Sequence, residues 1–150
     1  MKEITGNLLD ITHGILCHQV NCVGIMGHGI ANQIGNKWPA IREQYREYGG
    51  KLGEVYFHQV APGLIVANLF GQDGIAHGKR KTHYGALAQC LVTVQKRAWD
   101  LQLPVYFPWK MSSDLAGGDW VIVSELIDFL IGNPTIVKLQ RYDRVTGMPA

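Results

Sequence analysis

The sequence predicts an α/β fold arranged as a sandwich around a mixed sheet. Short apolar runs that read as strands alternate with segments whose apolar residues recur every three or four positions. The strand-like runs are apolar almost throughout, as expected of strands covered on both faces, and loops rich in glycine and turn formers separate the units. Residues 15–20, ILCHQV, read as the first strand, ended by the glycine-rich stretch 24–29. Ile30, Ile34 and Trp38 recur at spacing four and predict a helix that Pro39 interrupts; a second helical piece covers Ala40 to Tyr48 and stops at Gly49-Gly50. VYFHQV at 55–60 and LIVANLF at 64–70 flank Ala61-Pro62-Gly63 and predict a hairpin. Tyr84 to Asp100 carries Leu87, Leu91, Val94 and Ala98 on one helical face, and LPVYFPW follows as a buried strand. VIVSELIDFLI predicts a further helix with Val121, Leu126 and Phe129 on its buried face, and TIVKLQRY at 135–142 closes the sheet. No repeat or linker divides the 150 residues, so the expectation is one domain over 1–143 with a loose tail at 144–150.

The composition excludes several functions. Hydrophobic residues make up 47% and charged residues 17%, enough for a core that buries roughly 68–70% of the extended surface. Fourteen basic against twelve acidic side chains leave a net charge of +2, too little for the cationic stripe of a general nucleic-acid binder, so a small anion is the favoured partner. The absence of a long apolar run predicts a soluble, cytoplasmic protein without membrane partners. Cys17, Cys22 and Cys90 lack metal-site spacing and read as free thiols rather than as a Cys17/His18/Cys22 zinc cluster, so no metal or cofactor is expected.

In an open α/β fold the loops after the strands meet in one crevice. Two loops carry suitable residues, NCVGIMGHGIA at 21–31 and KMSSDLAGGDW at 110–120, each ahead of a predicted helix. Glycine allows close backbone approach, and free amides at a helix start can bind an anion; tight turns use the same residues. Gly27-x-Gly29 is followed by Asn32, which breaks the G-x-G-x-x-G dinucleotide pattern, and neither loop contains the P-loop lysine motif. A pyrophosphate held by backbone amides fits what is left.

ITGNLLDI at 4–11, HQVNCVGIMGHGIANQI at 18–34, ANLFGQ at 67–72, THYGALAQCL at 82–91 and FPWKMSSDLAGGDW at 107–120 occur in this order, and with them the chain resembles the macro domain family over most of residues 3–141. The resemblance implies a three-layer α/β/α fold with a central mixed sheet and an ADP-ribose crevice. It places Asn7-Leu8 near adenine, with Asn7 where the family often has Asp, and Asn21 facing the distal ribose. Gly27, His28, Gly29 and Ile30 would form the first phosphate and ribose loop. Ser112, Ser113, Asp114, Leu115, Ala116, Gly117 and Gly118 would close over the pyrophosphate. One ADP-ribosyl-glutamate-removing branch uses a lysine at the strand exit, where this chain has Gln72; that substitution disfavours a lysine adduct.

Three side chains are the catalytic candidates. Asn21 can orient a ribose hydroxyl or a water, or cap a turn. His28 can stabilise or protonate a leaving group through its imidazole, or simply sit on a glycine loop. Asp119 can polarise water, or cap the helix that follows it. His77, Lys79, Arg80, Lys81 and His83 form a basic connection that can attract an anion or remain a solvated turn. The expected activity is release of phosphate from ADP-ribose 1″-phosphate without a metal. The alternatives are hydrolysis of ADP-ribose from a modified protein or nucleic acid, and ADP-ribose binding without turnover.

Overall fold

The computed structural model describes residues 1–74, 80–113, 116–140 and 146. Strands β1 (Lys2–Gly6), β2 (Gly14–Asn21), β3 (Val55–Ala61), β4 (Leu64–Gln72), β5 (Val105–Pro108) and β6 (Thr135–Leu139) form one sheet in the order β1-β6-β5-β2-β4-β3. Neighbours pair in parallel except β3 with β4, which form the expected antiparallel hairpin and make the sheet mixed. Helices α1 (Gly29–Lys37) and α2 (Pro39–Tyr48) cover one face, and α3 (Tyr84–Leu101) and α4 (Trp120–Leu130) the other. The result is the three-layer α/β/α sandwich.

The period-two geometry of a strand explains how the central strands serve both layers. On β2, Ile15 and Cys17 enter the core under α3 and α4, whereas Leu16 and Val20 enter the core under α1 and α2. On β4, Ile65, Ala67 and Leu69 take the first side, and Leu64, Val66 and Phe70 the second. Continuous apolar runs are the sequence trace of this double burial. The break between α1 and α2 follows from Pro39, which has no amide to donate and forces Trp38 out of helical geometry (φ −127°, ψ 80°). Gly49, at φ 59°, ends α2 in the left-handed region.

Three expectations need correction. β1 was not anticipated, because Lys2, Glu3 and Thr5 surround a single apolar Ile4; its pairing with β6 supplies the signal that its side chains lack. β6 ends at Leu139 rather than at 142, residues 141 and 142 lying outside the described ones, as do 143–145 and 147–150 of the expected tail and its boundary. On α4 the buried side chains are Val123 and Ile127, continued by Ile131 beyond its end. Val121 and Phe129 are 67% and 87% exposed, while Leu126 packs against the core from its edge. Val121 and Phe129 each lie two residues from the buried stripe, about 200° around the helix, so both cannot face the sheet with it.

Candidate functional site

The chain ends of β2, β4 and β5 open into a cavity of about 350 Å³, walled on one side by the loop from Asn21 to Ala31 and on the other by residues from Pro108 to Ala116. The two loops singled out by composition therefore do meet at the strand exits.

The first wall ends in the start of α1. Gly27, His28, Gly29, Ile30 and Ala31 line the cavity. His28 is the N-cap residue of α1, but its imidazole makes no capping bond, and the first turn holds no acidic residue. The positive end of the helix thus meets the cavity without an internal anion to offset it. Gly29 adopts φ 56°, which a side chain would strain, where the chain enters the helix.

Asn21 shapes this wall. Its Oδ1 accepts from the amides of Val23 at 3.1 Å and Ile25 at 3.3 Å, and its Nδ2 donates to the Ile25 carbonyl at 2.7 Å. The Tyr45 hydroxyl, reaching from α2, lies 2.7 Å from the same Oδ1 and 2.6 Å from the Asn21 carbonyl oxygen. Burial pushes the Tyr45 phenol up to about 12, so it stays a proton donor. Asn21 lines the cavity, and its acceptor oxygen is committed to the loop.

The second wall is tied to the middle of the sheet. Ser112 Oγ donates to Gln19 Oε1 at 2.6 Å, Gln19 Nε2 donates to Thr82 Oγ1 at 3.0 Å, and Thr82 Oγ1 donates to the Ser112 carbonyl at 2.8 Å. The amides of Lys81 and Thr82 both donate to the Ala116 carbonyl, and the amide of Gly118 to the Ser112 carbonyl. A Cβ on Gly118 would stand 2.4 Å from that carbonyl oxygen, which explains glycine there.

Ser112 and Ala116 line the cavity; Ser113 turns its hydroxyl to the Lys110 carbonyl, and Gly117 and Gly118 are not among the lining residues. Asp114 and Leu115 lie outside the described residues. Asn7 caps the single 3-10 turn at Leu8–Asp10 by accepting from the Leu9 amide at 2.9 Å, and Leu8 is buried beneath it, so neither reaches the cavity wall. Asp119 is the N-cap of α4, accepting from the Val121 amide at 2.9 Å while its own amide donates to the Tyr84 hydroxyl. That arrangement matches the capping alternative, and Asp119 is not among the residues that line the cavity. Of the basic connection, His77 and Lys79 lie outside the described residues, His83 caps α3, and Arg80 stacks over the Tyr84 ring.

Gln19, Gln72, Trp109, Lys110 and Met111 line the cavity without having been singled out for that role. For Gln19 a signal existed: it stands two residues before Asn21 at the end of β2. Lys110 and Lys138 each place an ammonium 4.5 Å from the Trp109 ring centre at the rim. Among the described lining residues there is no carboxylate, and the ionisable side chains are His28 and Lys110. Gln72 directs its Nε2 to the Gly74 carbonyl at 2.6 Å.

No family model and no curated protein matches the sequence. Among solved structures, a protein of Bacteroides thetaiotaomicron is 28% identical, with 93% of this chain and 99% of that one covered at a TM-score of 0.84. A macrodomain protein from Streptomyces coelicolor is also 28% identical, covering 91% of this chain and 97% of that one at a TM-score of 0.76. DarTG of Thermosipho africanus in complex with ADP-ribose shares the fold at a TM-score of 0.76 and 15% identity, over 98% of this chain and 44% of that one.

Proposed function

The chain belongs to the macrodomain superfamily, and from this premise we propose that its crevice takes the ADP-ribose unit of a modified protein or nucleic acid and that the chain hydrolyses the bond joining that unit to its carrier. The observation that carries the proposal is the start of α1, a helix end with no side-chain cap and no acidic first turn, set in the wall of a 350 Å³ crevice. A pyrophosphate offers such an end the negative charge and acceptor oxygens that its free amides lack. The ADP-ribose complex of a protein with the same fold agrees with this reading.

Hydrolysis requires water to form a bond to the anomeric carbon of the distal ribose while the bond to the carrier atom breaks and that atom receives a proton. Exposed Gly27, His28 and Gly29 leave the rim open, so a carrier can extend into solvent. His28 is the wall group whose imidazole can pass a proton to the leaving atom. With its oxygen engaged, Asn21 serves by fixing the loop that holds the substrate. Gln72 at the strand exit offers no amine, which argues against an adduct formed there.

The second reading, removal of phosphate from ADP-ribose 1″-phosphate, draws on Lys110 and His28 as two wall groups able to face a terminal phosphate. Parallel product assays decide. Purified protein is given an ADP-ribosylated protein, an ADP-ribosylated oligonucleotide and ADP-ribose 1″-phosphate, and calorimetry measures ADP-ribose binding. Free ADP-ribose from a modified carrier is the expected product. Phosphate release alone supports the second reading, binding without either product makes the chain a reader, and no binding overturns all three.

A further inference from the structure

We infer that Gln19 is a positioning residue for the ligand: its side-chain amide holds Ser112, and with it the second wall of the crevice, in the shape that accepts ADP-ribose. The inference rests on the ADP-ribose reading above. Ser112 lines the cavity and is 9% exposed, with φ 68°, in the left-handed region that a residue with a Cβ enters only at a cost in strain. Such a conformation persists only where surrounding bonds fix it. Three bonds do so here: Ser112 Oγ donates to Gln19 Oε1 at 2.6 Å, and the Ser112 carbonyl accepts from Thr82 Oγ1 and from the Gly118 amide, both at 2.8 Å. Gln19 Nε2, donating to Thr82 Oγ1 at 3.0 Å, closes a ring of three side chains from three parts of the sequence.

The anchor is rigid because Gln19 belongs to β2, paired on one side with β4 and on the other with β5. Space for its amide is reserved on β4, where a Cβ on Gly71 would stand 2.5 Å from Gln19 Oε1. No other described side chain bonds both Ser112 and Thr82. The strained wall residue and the rigid strand are therefore coupled through one amide. Gln19 acts on the ligand through Ser112.

The test uses the full chain with two substitutions, Gln19→Met, which keeps length but removes both amide groups, and Ser112→Gly, which keeps the left-handed backbone without strain but removes the hydroxyl. Hydrogen exchange of the free protein and calorimetry with ADP-ribose are measured on each. Gln19→Met should speed exchange at residues 111–113 and 116–118 by about tenfold or more relative to α3, and weaken ADP-ribose by about tenfold or more. Ser112→Gly should melt no lower than the parent and still bind about tenfold more weakly; a merely structural role predicts that stability and affinity fall together. Parental affinity in either variant, or unchanged loop exchange in Gln19→Met, overturns the inference. If Gln19→Met exchanges faster everywhere, Ser112→Gly decides. If the parent protein binds no ADP-ribose, the functional reading fails by itself, and the exchange measurement still decides whether Gln19 holds the wall.

Discussion

Asp119 shows how one carboxylate can suit two roles that only its neighbours separate. As the N-cap of α4 it offsets an otherwise free helix amide, so Asp119→Ala should lower stability by about 1 kcal/mol, read as a fall in Tm, and leave ADP-ribose affinity near parental. A fall in turnover of about a hundredfold or more without loss of Tm would return Asp119 to the chemistry. His28→Ala should do the reverse, because the imidazole is exposed and makes no cap bond: the Tm holds while turnover falls. His18 offers a pH test. It is fully buried, with Nε2 2.6 Å from Asn68 Oδ1 and, among the described residues, no partner for Nδ1. Burial pushes it from the ordinary 6.5 down to about 4, outweighing the hydrogen bond that Nε2 donates to Asn68 Oδ1. The unfolded chain therefore takes up a proton that the folded protein refuses. Stability is full above pH 6.5 and declines as pH falls toward 4, by about 3 kcal/mol in all at about 1.4 kcal/mol per pH unit. Denaturant unfolding across that range should show the slope, and His18→Gln should flatten it.

At the level of elements, α4 supplies the sharpest contrast. Ile127 is completely buried and Phe129 is 87% exposed, although both are large, apolar and two positions apart. Ile127→Ala should cost about 2–5 kcal/mol, whereas Phe129→Ser should stay within about 0.5 kcal/mol; equal losses in chemical denaturation would restore Phe129 to the buried face. Periodicity identified α4 but gave it the wrong rotation, because the exposed Val121, Ile122 and Phe129 are as apolar as the residues that pack. A helix apolar over most of its surface has no unique face until another layer chooses one. α3 was read correctly because Leu87, Leu91, Val94 and Ala98 fall on one buried stripe while Gln89, Thr93, Lys96, Arg97 and Asp100 stay exposed. β1 was missed for the opposite reason, one apolar residue being too few to define a period.

Across the whole molecule, the crevice exists because parallel strands deliver their following loops to one end of the sheet, and β2 sits between β4 and β5 where those loops meet. A ligand seated there touches both walls and binds the folded chain alone. ADP-ribose at a hundred times its Kd should therefore stabilise the protein by about 2.7 kcal/mol, seen as a rise in Tm that scales with ligand concentration. A Tm indifferent to ADP-ribose would place the ligand elsewhere or nowhere.

The sequence by itself determined the alternation of strands and helices, the break at Pro39, the hairpin and the two glycine loops, since each rests on residues within a few positions of one another. It also brought the right loops to one crevice, through the general rule for open α/β sheets. Only the tertiary structure decided which polar groups form the walls and which are spent on capping. Asn7 and Asp119 turned out to close local turns, while Gln19 reached a serine 93 residues away. The physical reason is range: a helix or turn is set by neighbouring dihedrals and apolar period, whereas a buried amide takes whichever partner the packed layers bring to it.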